Sequence, residues 1–87
     1  MPNKIRATVV SVGGHCAQGH TVGQSWEMEG KSPSGMCLSA MGSLLPRLIA
    51  LRFDAQFPWA VDNKDAIVVA CPDAKNPVVF ELRRIKA

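Results

Sequence analysis

Residues 66–85 read AIVVACPDAKNPVVFELRRI, and this stretch decides the fold. Two runs within it, residues 66–71 and 78–85, are rich in valine, isoleucine and other apolar side chains, which is typical of strands. The residues between the runs begin and end with proline and include Asp73 and Asn76, which favours a turn. The stretch therefore predicts a β-hairpin, whose two strands are antiparallel.

Two more strands are predicted nearer the N-terminus. Residues 5–12 are rich in β-branched side chains that alternate with others, and Gly13-Gly14 ends the run. Residues 24–29 alternate as well, with Trp26 and Met28 on one face and polar side chains on the other. This alternation indicates a strand with one buried face.

The segment between the two pairs of strands predicts one main helix. Ser34 suits the N-cap position, and apolar residues follow it at three- and four-residue spacing: Cys37, Met41, Leu44, Leu45, Leu48 and Leu51. Pro46 lies within this segment, so the helix either kinks at Pro46 or splits, with Ser43 capping a second piece. Arg52 near the helix end either meets the negative end of the helix dipole or holds an anionic ligand.

These elements have the order β-β-α-β-β and predict an α+β fold. We expect a small, mostly antiparallel sheet that is covered on one face by the main helix or curled into a barrel-like shape. A chain of 87 residues is near the lower size limit of a self-sufficient domain, so residues 1–87 are expected to form a single domain. Because such a small core supplies little stability, we also expect a homo-oligomer.

The charge pattern bears on possible partners. The chain has 10 Lys and Arg against 7 Asp and Glu, and its basic residues are scattered apart from a cluster at Arg83, Arg84 and Lys86. If the first and last strands pair, Lys4 and Arg6 join this cluster as a basic edge. Charges at a sheet edge commonly prevent aggregation, and no nucleic-acid recognition motif accompanies them. A nucleic-acid partner is therefore not expected.

The apolar residues and the cysteines bear on location. No apolar signal-peptide segment follows the N-terminus, and the longest apolar stretch, residues 36–51, is too short and too polar to span a bilayer. The three cysteines are an odd number and lie far apart, which favours free thiols over disulfides. We therefore expect a protein of the reducing cytoplasm with no membrane partner.

The concentrated chemical signal of the chain is three cysteines and two histidines. Cys16 follows the first predicted strand, Cys37 lies in the first turn of the helix, and Cys71 ends the third strand. Side chains at the ends of elements are gathered by loops into sites, whereas a cysteine that only packs is more often in the middle of an element. These positions predict a thiol-rich site formed by Cys16, Cys37 and Cys71.

Metal binding is one chemistry that this set allows. Zinc or iron takes thiolate and imidazole ligands, and Cys16, His20, Cys37 and Cys71 would supply four of them, with His15 as a fifth candidate. Only the spacing Cys16-x-x-x-His20 brings two ligands together locally, so the remaining ligands depend on the fold.

A reactive thiol is the second chemistry. Cys37 is the candidate catalytic nucleophile, because the free N–H groups and the dipole at a helix N-terminus stabilise a thiolate. His15 or His20 would act as base or acid, and Asp73 would orient that histidine. Two plainer alternatives stay open: the cysteines only pack in the core, or the protein is a non-catalytic oligomeric binding or structural module.

Several short segments occur in one order along nearly the whole chain: Gly19-His20-x-Val22-Gly23, Gly35-Met36-Cys37, Leu51-Arg52-Phe53, Phe57-Pro58-Trp59, Cys71-Pro72-Asp73 and Pro77-Val78-Val79-Phe80. In these segments the chain resembles a family of short, functionally uncharacterised prokaryotic proteins. The cysteines of that family match Cys16, Cys37 and Cys71, so the resemblance implies a three-cysteine site without naming a reaction. The chain departs from the family at Asp54, where glycine is usual.

Overall fold

The protein consists of a four-stranded sheet and one helix in the residues that its computed structural model describes, which are 3–14, 18–58 and 65–85. The elements in chain order are β1 (Lys4–Val12), β2 (Ser25–Met28), α1 (Leu38–Arg52), β3 (Ala66–Ala70) and β4 (Val78–Ile85). The predicted order β-β-α-β-β and the α+β class are confirmed.

The sheet has the spatial order β2-β1-β4-β3, and every neighbouring pair of strands is antiparallel. Its two central strands are the first and the last, so that Lys4 pairs with Ile85 and Val9 with Phe80. Within the described residues the sheet is open, with β2 and β3 at its edges, and the barrel-like alternative is not adopted. The helix connects these two edges by crossing one face of the sheet.

The core lies between α1 and the sheet face that it covers. Alternate side chains of β4 point into the core, because successive residues of a strand face opposite sides. Phe80 at the centre is fully buried, and burying a side chain of that kind contributes about 1.5–3 kcal/mol. The helix presents its buried stripe to this face: Ala40, Leu44, Leu48 and Leu51.

The start of the helix differs from the predicted one. Ser34 is not the N-cap; Cys37 is, and the helix begins at Leu38. Gly35 explains the difference, because its φ of +84° lies in the left-handed region and cannot belong to a right-handed helix. Cys37 therefore stands at the junction of a turn and the helix.

Pro46 does not divide the helix. Residues 38–52 form one continuous helix, so the alternative of two pieces is wrong. Ser43, the proposed cap of a second piece, instead donates its hydroxyl to the Ala70 carbonyl at 2.7 Å. Because proline has no N–H, the Gly42 carbonyl lacks its helical partner, and the exposure of Gly42 allows water to replace it.

Where the structure describes the chain, its single helix has neither the length nor the apolar character needed to cross a membrane.

Candidate functional site

Two thiols line one cavity of about 260 Å³ between the start of α1 and the loop from β3 to β4. Cys37 and Cys71 are both free, partly buried and packed against the core. The cavity is completed by Gln18, Ser39, Pro72, Asp73, Asn76 and Val78. The fold therefore brings two of the three cysteines to the same place, while Cys16 and His15 lie outside the described residues.

Cys37 stands where the dipole of α1 is positive. Its carbonyl accepts the N–H of Met41 at 3.0 Å, which is the first bond of the helix. No side-chain hydrogen bond caps this end, and the first turn contains no acidic residue. The positive helix end thus has no anionic partner within its own first turn, and a thiolate of Cys37 would supply one.

His20 holds the backbone of Cys37 in place. Its Nε2 accepts the Cys37 N–H at 3.0 Å, and its Nδ1 lies 3.2 Å from Oε1 of Gln24. Because Nε2 accepts this N–H, the tautomer that fits both bonds carries its proton on Nδ1 and donates it to Gln24. The ring is only 5% exposed and meets Trp26 edge-on at 5.1 Å between centroids.

This arrangement differs from both predicted roles of His20. In this structure its two ring nitrogens are hydrogen-bonded, one to the Cys37 backbone and the other to Gln24, so either predicted role would require one of these bonds to break. The structure makes His20 a residue that positions the start of the helix. The four-residue spacing between Cys16 and His20 suggested that the two side chains share a metal. That spacing could not predict the hydrogen bond between His20 and the backbone of Cys37.

Cys71 is the first residue after β3, and its sulfur takes part in closing the hairpin. The Cys71 N–H donates to the Val78 carbonyl at 2.8 Å, and the Val78 N–H donates to Sγ of Cys71 at 3.2 Å. A hydrogen bond to sulfur stabilises its anionic form more than its neutral form. The second thiol of the cavity is therefore also held by a backbone donor.

Asp73 shapes the loop beside the cavity. Its Oδ1 accepts the backbone N–H groups of Lys75 at 3.0 Å and Asn76 at 3.1 Å. Such a turn is the usual role of aspartate in a loop. Asp73 thus lines the cavity and fixes the path of the loop, and the predicted role of orienting a histidine has no counterpart among these bonds.

Metal ligands do not cluster in the described part of the chain. Residues 3–14, 18–58 and 65–85 contain no group of three or more His, Cys, Asp or Glu that could hold a metal ion. The predicted zinc or iron site needs Cys16 beside Cys37, Cys71 and His20, and Cys16 is not among these residues. The four-ligand site therefore stays a prediction.

The predicted basic edge does not form as expected, because Arg84 is buried. Its side chain is 2% exposed and pairs with Asp65 at 3.2 Å. It also donates to the carbonyls of Leu51 at 3.0 Å and Ala55 at 3.2 Å. Arg84 therefore joins β4 to the end of α1 and is not available to a partner at the surface.

The exposed arginines nearby are paired with acidic residues. Arg6 binds Glu27 at 3.0 Å on the neighbouring strand, and Arg83 binds Glu81 at 3.0 Å on its own strand. The hydrogen bond and the negative charge of Glu81 raise the pKa of Arg83. Lys86 lies outside the described residues. β1 and β4 do pair, but they are the two central strands, so these charged side chains lie on a face of the sheet and not at its edge as expected.

Comparisons with models of protein families, with curated proteins and with solved structures found no match.

Two polar residues of the cavity carried no signal in the sequence. Gln18 and Asn76 are ordinary loop residues in composition, and only the approach of their two loops to the start of α1 places them beside the thiols. The burial of His20 had no local signal either, because its ring is buried by packing against Trp26 and Phe80.

Proposed function

We propose that the protein carries out thiol chemistry in this cavity, with Cys37 as the nucleophile and Cys71 as the second thiol. The observation that supports the proposal is that both free thiols line one cavity of about 260 Å³, where the helix end has no side-chain cap. A thiolate is the form that reacts, and the N-terminus of a helix favours it.

The substrate class that suits two neighbouring thiols is a low-molecular-weight disulfide. The Cys37 thiolate attacks one sulfur of the substrate, the substrate S–S bond breaks, and one thiolate leaves and takes a proton from water. The Cys71 thiolate then attacks Sγ of Cys37, and the second substrate thiolate leaves in the same way. The two protein thiols are oxidised to a disulfide while the substrate is reduced to two thiols.

Each thiol has a separate backbone contribution to this sequence of steps. Cys37 lies at the uncapped end of the helix, and Sγ of Cys71 accepts the Val78 N–H at 3.2 Å. His20 acts indirectly, because its bond to the Cys37 N–H fixes where the helix begins. No proton transfer through His20 is needed in this scheme.

The expected cellular setting and assembly belong to the same proposal. Free thiols suit a reducing cytoplasm, where a disulfide formed by the reaction is returned to thiols. A homo-oligomer is supported by apolar side chains at the surface, since Val10 is 44% and Val68 is 62% exposed. Light scattering after gel filtration tests the assembly, and a monomer at all concentrations would contradict it.

Alkylation of each cysteine tests the nucleophile. At pH 7 an ordinary thiol is only a few per cent thiolate, so we expect iodoacetamide to modify native Cys37 at least roughly tenfold faster than Cys37 of the urea-unfolded chain. Mass spectrometry of the peptides reports each residue separately. Equal rates in the folded and unfolded chain would overturn the proposal.

Oxidised glutathione tests the second thiol. In the native protein we expect a mixed disulfide at Cys37 followed by a Cys37–Cys71 disulfide. The variant Cys71→Ser should stop at the mixed disulfide, and Cys37→Ser should lose the fast reaction. A mixed disulfide that forms first at Cys71, or one that persists in the native protein, would contradict the assigned roles.

Metal binding is the main competing function. The metal content of the same protein tests it. An untagged sample purified without oxygen is analysed by elemental mass spectrometry. Zinc or iron at one equivalent in the native protein, and its loss in Cys37→Ser, Cys71→Ser and Cys16→Ser, would replace the thiol reaction by the predicted metal site. A sample without metal and with a fast Cys37 supports the thiol reaction.

A further inference from the structure

A second cavity, separate from the thiol site, lies along the outer side of α1. It has a volume of about 350 Å³ and runs between the helix and the turn that follows β2. It shares no lining residue with the thiol cavity. We infer that this groove binds a small amphipathic carboxylate, a carboxylic acid with a short apolar chain.

The walls of the groove are apolar although they face water. Leu45 and Ile49 on α1 are 45% and 49% exposed, and Phe53 just after the helix is 61% exposed. Met28 and Met41 line the deeper part, and flexible methionine side chains adapt to varied apolar ligands. Exposed apolar side chains that converge on one cavity commonly mark a binding surface.

A cation with an unused donor lies in the same groove. Nε of Arg52 is buried and has no hydrogen-bond partner within the described residues. A buried donor of this kind is rarely left without an acceptor, because its desolvation costs free energy that a hydrogen bond offsets. The guanidinium carbon lies 5.2 Å from the ring centre of Phe53, so the charge and the apolar wall are in contact.

Charge in the groove favours an anion. Lys31 is a second cation in the lining, and neither Lys31 nor Arg52 forms an ion pair with a residue that the structure describes. The acidic residue of the lining, Glu29, is already paired with Lys4 at 3.6 Å. An incoming carboxylate would therefore meet two cations whose charges no described acid offsets.

The cations and the apolar walls together determine which class of ligand fits the groove. A planar guanidinium matches the two oxygens of a carboxylate, and the walls match an apolar chain. The volume is at the lower end of the range for sites of small molecules, which suits a small ligand. An inorganic anion would leave the apolar walls exposed, and a neutral apolar molecule would leave the charges of Arg52 and Lys31 without an anion.

Octanoate, below the concentration at which it forms micelles, is the probe of this inference. It is titrated into the full chain labelled with ¹⁵N, and amide and arginine Nε–H resonances are followed. We expect the largest shifts at Leu45, Ile49 and Phe53 and at the Arg52 side chain. Octanamide, which has the same chain without the charge, should bind at least roughly tenfold more weakly.

Matched variants separate the groove from the rest of the surface. Arg52→Met should abolish the preference for octanoate over octanamide, whereas Arg47→Met removes the same charge from the same helix outside the groove and should leave binding unchanged. Cys37→Ser should also bind octanoate normally, so a failure of the thiol proposal does not affect this test.

Three outcomes of the titrations with octanoate and octanamide would overturn the inference. These are equal affinities for octanoate and octanamide in the native protein, shifts that spread beyond the groove, and no shifts at all. The comparison of the two probes needs no substitution, so it stays decisive even if Arg52→Met does not fold. Equal binding of acetate would identify an anion site without a role for the apolar walls and would also contradict the inference.

Discussion

The two ends of α1 are built in opposite ways. At the N-terminal end no side chain caps the helix, and the contact from outside is the bond from the Cys37 N–H to His20. At the C-terminal end the backbone and side chain of Asn3 donate to the Arg52 and Leu51 carbonyls, and Arg84 donates to Leu51 as well. One end is open, and the other is bonded to β4 and to Asn3, the residue just before β1.

The difference separates the proposed site from the attachment of the helix to the sheet. At the C-terminal end the carbonyls of Leu51 and Arg52 accept hydrogen bonds from Asn3 and Arg84, which hold the helix on the sheet. At the N-terminal end no side chain caps the N–H groups of the first turn, and the cavity with the two thiols lies beside it. The thiols of the proposed site thus lie at the uncapped end of the helix.

The largest loss of stability is expected when the bonds of Arg84 to the C-terminal end of α1 are removed. Arg84→Leu removes a charge that is 2% exposed together with its hydrogen bonds to Asp65, Leu51 and Ala55. Because the guanidinium is buried, the loss of these bonds should lower the free energy of unfolding by about 3 kcal/mol. Urea denaturation at pH 7 measures the loss.

The neighbouring arginine is the matched control. Arg83→Leu removes the same charge from an exposed pair with Glu81, and such a pair contributes at most about 1 kcal/mol. An equal loss of stability in the two variants would show that the buried side chain of Arg84 does not hold the C-terminal end of the helix.

A smaller effect is expected from removing the contact at the open end. His20→Ala leaves the Cys37 N–H without its acceptor and deletes a ring that packs on Trp26. We expect a loss of about 2 kcal/mol and faster hydrogen exchange at the Cys37 amide. Urea denaturation and exchange followed by NMR measure the two quantities.

Gln24→Ala is the control for His20, because it removes the partner of Nδ1 and keeps the acceptor of the Cys37 N–H. Gln24 is exposed, so water replaces it and the loss should be about 1 kcal/mol or less. Unchanged exchange at Cys37 in His20→Ala would show that His20 does not hold the helix start.

The smallest effect concerns the turn just beyond the C-terminal end of α1. Asp54 has a φ of +66°, in the left-handed region, and its Oδ1 accepts the Asn3 side chain at 2.8 Å. Asp54→Gly loses that bond but relieves the backbone, so its stability should stay within about 0.5 kcal/mol of the native value. Asp54→Ala loses the bond without relief and should cost about 1 kcal/mol more than glycine in the same urea series. Equal values for the two variants would contradict a strained backbone at this residue.

Local patterns were sufficient for most of the fold. Alternation along residues 78–85 and the proline-bounded loop before them depend only on neighbours in the chain, and β4 has the predicted bounds. The helix start was missed because the conformation of Gly35, which decides it, is not visible in helical periodicity.

The site depended on contacts between distant parts of the chain. The placement of Cys37 and Cys71 at element ends was a useful local signal, but their shared cavity exists only because α1 crosses to β3. The burial of Arg84 was foreseeable from period two, since it follows Phe80 and Leu82 on the same face of β4. The prediction of a basic edge instead treated Arg84 as exposed because arginine is charged.

The central pair of the sheet has a consequence for synthesis on the ribosome. Because β1 pairs with β4, the strand β1 cannot form its full set of hydrogen bonds until residue 85 has been synthesised. Closing so long a loop is slow compared with forming the hairpin of β3 and β4. Until it closes, the sulfurs of Cys37 and Cys71 belong to an unfinished nascent chain, and a reducing environment protects them from oxidation during that interval.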